Sequence, residues 1–112
     1  TRTIITEHSG TRLMRTCVER LIALPLIDSI TLQNEIRFLE TTLESLRDEG
    51  VISNDAFLDG GAIQGGLSAL SNMVDLGIDR SEAQDHLRGL LVRGIKLDEA
   101  HPGLDGAIES AR

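Results

Sequence analysis

Residues 29–50 read SITLQNEIRFLETTLESLRDEG, and this stretch decides the fold class. Leu32, Ile36, Leu39, Leu43 and Leu46 recur at spacings of four, three, four and three. That rhythm returns apolar side chains to one side of an α-helix and to no single side of a strand. Ser29 or Thr31 offers a hydroxyl to the first free backbone amides, and Gly50 supplies the left-handed residue at which helices end. The spacing therefore predicts a helix over 31–48. So narrow a seam suits packing against one other helix, either within the chain as an antiparallel hairpin or between two chains. Glu35, Glu40 and Glu44 are expected to cover its flanks. Phe38 falls off the seam, where a solvated helix usually carries a polar group. Two readings stand for it: a bundle wider than the seam implies, or an anchor for a protein partner, since aromatic side chains concentrate binding energy.

Working outward toward the N-terminus, Leu13, Met14, Cys17, Val18, Leu21 and Leu24 make one helical face over 11–24, and Pro25 should stop it. Residues 1–10 show no such pattern and read as a flexible or locally docked arm, in which TIIT (3–6) could form a short strand. Toward the C-terminus, Ser53 can cap a brief turn through Leu58. Ala62, Ile63, Gly66, Leu67, Ala69, Leu70, Met73 and Val74 then fall on one half of a helical wheel over 62–76. Continued backward, that wheel puts Asp59 in its apolar half. An unpaired buried carboxylate is costly, so a break or kink is expected at Asp59-Gly60-Gly61, with Asp59 capping the helix beyond it. Gly66 lies near the centre of the same face with Ala62, Ala69 and Met73. An interior glycine costs about 1 kcal/mol relative to alanine. The expected gain is a shallow groove where another helix backbone comes close.

Ser81 with Gln84 forms a capping box for a helix over 81–98. Ala83, Leu87, Leu90, Leu91, Gly94 and Leu97 face inward there, and Pro102-Gly103 closes it. Residues 103–112 read as a tail with one amphipathic turn around Leu104 and Ile108. Short connections make neighbouring helices antiparallel. The expectation is a single all-α domain, 1–112, built as a small antiparallel bundle of about four short helices and homodimeric.

Composition narrows the function. The 112 residues are 40% hydrophobic and 26% charged, with two Phe and no Trp or Tyr. The core must come from Leu, Ile, Val, Ala and Met. A net charge of −7 argues against nucleic acid, whose backbone is bound by Lys and Arg displacing counterions. Platforms on which single strands stack are also missing. Residues 1–24 sum to +2 and residues 25–79 to −8, an asymmetry that can steer association. One cysteine, Cys17, excludes an internal disulfide and fits a reducing compartment. The longest apolar run, LIALPLI (21–27), is too short to span a membrane. With no signal-peptide pattern, a cytoplasmic location is expected.

Chemistry is harder to find. A phosphate loop needs Lys and then Ser or Thr after its last glycine, whereas DGGAIQGG (59–66) is followed by Leu67 and Ser68. The dinucleotide fingerprint has a different spacing and follows a strand. His8, His86 and His101 are isolated from one another. Cys17 sits in an apolar helical face, where a thiol packs as a small hydrophobe; Arg20, close in sequence, is by itself a weak pointer to a reactive thiolate. Glu40, Glu44, Asp48 and Glu49 read as a solvated helix face. No catalytic residue, metal ligand or cofactor is assigned, and the chain is expected not to be an enzyme.

The opening TRTIITEHSGTRLMRTCVERLIALPLIDS (1–29), together with size, charge and helix pattern, resembles the QslA-like antiactivators of LuxR-type quorum-sensing regulators such as LasR. The resemblance implies a homodimer that captures the regulator's ligand-binding domain, blocks its dimerisation and so prevents DNA binding. Helix faces place the homodimer contacts at Ile36, Leu39, Leu43, Gly66 and Ala69. Partner contacts are placed at Leu13, Arg15 and Phe38. An acidic helical chaperone or adaptor for another protein is the alternative, and a minor enzyme or metal-binding protein a third class.

Overall fold

The computed structural model describes residues 15–24 and 26–112. These form five α-helices: α1 (Arg15–Ile22), α2 (Ser29–Asp48), α3 (Asn54–Asp75), α4 (Arg80–Ala100) and α5 (Leu104–Ser110). No strand occurs among the described residues. The expected arm with its TIIT segment, and residues 11–14 of the expected first helix, lie outside them. Helix α1 ends at Ile22, short of Pro25.

Helix α2 is capped by Asp28, not by Ser29 or Thr31: its carboxylate accepts the Thr31 N–H at 2.8 Å. Ser29 is already the first helical residue, and Asp is as good a cap as Ser in the position before it. The far end closes at Gly50 as expected, with φ 76°. The Gly50 N–H donates to Arg47 C=O at 3.0 Å and the Val51 N–H to Leu46 C=O at 2.9 Å, the paired bonds of a left-handed helix stop. Gly77 (φ 93°) repeats the device, its N–H donating to Val74 C=O and that of Ile78 to Met73 C=O. These two reversals fold α2, α3 and α4 back on one another.

Helix α3 runs from Asn54 to Asp75, capped by Ser53, and is helical straight through Asp59-Gly60-Gly61. The expected break does not occur. Its buried residues are Ala56, Gly60, Ile63, Leu67, Leu70 and Ser71, so the inward direction is centred on Ile63, Leu67 and Leu70. The wheel centred on Gly66 is turned from it by about 100°, one residue's rotation. On the true wheel Asp59 lies at the boundary, its side chain 53% exposed, with an oxygen 2.8 Å from His101 Nε2. No buried carboxylate has to be avoided. Gly60 instead faces α2, where a Cβ would sit 3.1 Å from Leu43 Cδ2.

Gln33 of α2 donates to Ser71 of α3 at 3.0 Å, while Leu43 meets Gly60. The two helices are therefore antiparallel. Gly66 against Leu90 and Asp59 against His101 give the same sense for α3 and α4. Helix α4 begins two residues earlier than Ser81 implies, because Asp79 takes the Glu82 N–H at 2.9 Å. Helix α1 packs on α4, and α5 touches both α1 and α2. The tail is thus a structural element: Leu104 and Ile108 are buried with Val18, Leu32, Leu39, Leu87 and the rest of one core.

Candidate interaction surface

The seam of α2 is spent inside the chain. Leu39 and Leu43 are 0% and 1% exposed and belong to the core with α3, which selects the intramolecular hairpin of the two alternatives. Ile36 is half-buried against the same core. Gly66 is half-buried and Ala69 exposed. Leu13 lies outside the described residues, and Arg15 is the first residue of α1.

Phe38 is half-buried under the Arg112 guanidinium, 4.2 Å above the ring centre. Phe57 is covered in the same way by Arg47 at 4.1 Å. Arg112 also forms a two-pronged bond to Glu35, Nη1–Oε1 at 3.0 Å and Nη2–Oε2 at 2.7 Å. Contrary to expectation Glu35 is no flank residue but 7% exposed, because α2 buries 32, 35, 39, 42, 43 and 46. Arg112 bonds Glu109 as well, and Arg20 of α1 donates to Glu109 at 2.9 Å. The hydrogen bonds that Arg112 donates to Glu35 raise the Arg112 pKa above its ordinary value against the effect of burial. Burial pushes the Glu109 carboxyl up, but hydrogen bonds from Arg112 and Arg20 outweigh it and hold it below the usual range.

Beside this joint, Asp105 is 1% exposed. It accepts the Thr16 N–H at 3.2 Å, and its other oxygen lies 2.5 Å from Thr16 Oγ1. Burial pushes its carboxyl up to about 7, against the two Thr16 bonds and with added repulsion from Glu109 and Asp98. The Cys17 thiol is raised by burial first and by Glu35 and Glu109 next, and behaves as the core residue its helix face suggests. These groups tie α1, α2 and α5 together. The ties span 77 and 89 residues of sequence, so no local pattern announces them.

The outer face of α3 and α4 is different. Two adjoining clefts of about 300 and 420 Å³ share Asp85 and His86. Gly66, Ala69 and Gly89 line the first, and Met73, Ile78 and Glu82 the second. A Cβ on Gly66 would run into Leu90 Cδ2, so the space at this glycine is taken by the Leu90 side chain of α4 and not by the helix backbone expected there. Large apolar side chains left outside the core include Leu26, Ile30, Leu58, Leu76 and Val92, with Leu76 85% and Ile30 72% exposed. A further cleft of about 420 Å³ beside His101 has Val51, Ile52, Ala56, Leu104 and Ala107 in its lining. Among the described residues no group of three or more His, Cys, Asp and Glu is placed to hold a metal, and no helix is long and apolar enough to cross a membrane. Compared with known protein families, curated proteins and solved structures, the chain finds no match.

Proposed function

We propose that the chain is a non-catalytic regulatory protein of the cytoplasm. As a homodimer, it lays helix faces on the ligand-binding domain of a LuxR-type transcription regulator and blocks that regulator's dimerisation and DNA binding. The observation that carries the protein-contact reading is the set of large apolar side chains outside a core that closes without them. Leu26 and Ile30 stand exposed on either side of the α2 cap, and Leu76 at the end of α3. Apolar groups left in water in this way gain free energy when a partner covers them. The regulator class rests on the resemblance of residues 1–29. Charge complementarity sets the rim: an acidic middle segment favours a partner surface rich in Lys and Arg.

The test is co-purification with a LuxR-type ligand-binding domain, read by light scattering, with operator binding by the full regulator measured alongside. A stable complex and loss of operator binding are expected, and Ile30→Glu, exposed and harmless to the fold, should weaken both. A regulator that stays dimeric and DNA-bound in excess chain refutes the proposal.

A further inference from the structure

Helix α4 carries its outward charges in an order that a second copy would complement. Glu82, Asp85, Gly89, Arg93 and Lys96 lie along its outer side, and all five are exposed. Asp85 and Arg93 lie four residues to either side of Gly89, and Glu82 and Lys96 seven; offsets of four and seven return to one side of a helix. The face is acidic in its first half, basic in its second, and changes sign at the glycine. The helix's own dipole favours that order of charge but does not explain Gly89. Among the described residues a Cβ there would meet nothing within 4 Å, so none of them demands a residue that weakens a helix interior. Gly66 and Ala69 of α3 line the same cleft as Gly89, so only small side chains of α3 border α4 there.

We propose that two copies of the chain pair through this face, α4 crossing the α4 of the second copy antiparallel at Gly89. Asp85 of each copy then stands opposite Arg93 of the other, Glu82 opposite Lys96, and Val92 over His86. In a two-fold contact every such pair is made twice. Asp85 now bonds Arg88 of its own helix at 2.8 Å, with both side chains exposed; a surface pair of this kind is worth little and exchanges readily. The placement rests on the homodimer of the proposed function and not on the identity of the regulator.

The full chain is run by light scattering and sedimentation, with helicity checked by circular dichroism. The wild type should be a dimer. Asp85→Arg and Arg93→Asp should each weaken self-association by about tenfold or more, and the two together should restore it to within about threefold. Gly89→Cys should cross-link with a short bismaleimide. Glu99→Cys should not, since ten residues from the crossing puts the two copies about 30 Å apart. A monomer at the highest soluble concentration overturns this placement and the self-association together. A dimer indifferent to both swaps, with no cross-link at Gly89, overturns the placement alone. Swaps that leave the dimer intact but abolish regulator capture assign the face to the regulator and also overturn it.

Discussion

Two adjacent glycines on α3 make a matched experiment. Alanine at either Gly65 or Gly66 gains the same helix propensity, about 1 kcal/mol. At Gly65 the new methyl meets nothing within 4 Å, so Gly65→Ala should stabilise by most of that amount. At Gly66 it runs into Leu90 Cδ2, with Leu90 Cγ and Cδ1 both at 3.3 Å. Turning one terminal methyl does not clear it, and Leu90 is only 4% exposed. Overpacking of this kind costs about 1–3 kcal/mol, so Gly66→Ala should come out neutral to about 2 kcal/mol less stable than wild type. The two variants should therefore differ by about 1–3 kcal/mol, roughly 4–15 °C in Tm for a domain of this size. Urea unfolding followed at 222 nm measures it, at two protein concentrations so that any linkage to self-association shows. In a Leu90→Ala background the difference should vanish. If Gly66→Ala is as stable as Gly65→Ala in the wild-type background, the seating of the Leu90 side chain on Gly66 is wrong.

The Asp105 carboxyl is raised from 3.8 to about 7 in the folded chain, so the native state keeps a proton that the unfolded state releases. Its contribution is complete below about pH 4 and lost as pH rises to about 7, a fall of roughly 4 kcal/mol; Asp105→Asn should flatten that part of the stability–pH curve, and an unchanged slope refutes it. Arg112→Met strands Glu35 and uncovers Phe38. With Arg112 29% exposed, the loss should be about 2–4 kcal/mol in urea unfolding, partly recovered by adding Glu35→Gln. Asp79→Ala should cost about 1 kcal/mol by thermal melting, whereas Ser81→Ala should stay within about 0.5 kcal/mol, the reverse of what the Ser81–Gln84 spacing suggests.

Helix existence was legible because each apolar stripe repeats at the helical period; α2 could be read to its last turn from Leu46 and Gly50. Phase and caps were less so. Ala62, Gly66 and Ala69 looked inward because small residues count as apolar, yet Ala62 and Ala69 are exposed, and the error moved Asp59 into a core it never enters. Asp28 and Asp79 took the capping roles from nearby hydroxyls, a contest between residues of similar preference that depends on where the preceding loop delivers the chain. Glu35 and Asp105 were invisible as buried groups because their partners, Arg112 and Thr16, are distant in sequence and meet only in the finished fold. The sign pattern of α4, by contrast, is written in consecutive turns and needed only the knowledge of which side faces out.

The bridging position of α5 has a consequence for how the chain matures during synthesis. Helices α2, α3 and α4 can zip together as successive hairpins, each closing a short loop as it emerges. Helix α1, made before them, has its docking partners in α4 and α5, up to 89 residues downstream. Its greasy side, with Val18 and Leu21, waits uncovered until α4 and then α5 have left the ribosome. A nascent chain stalled before α4 is complete should therefore be the form that chaperones hold and proteases cut.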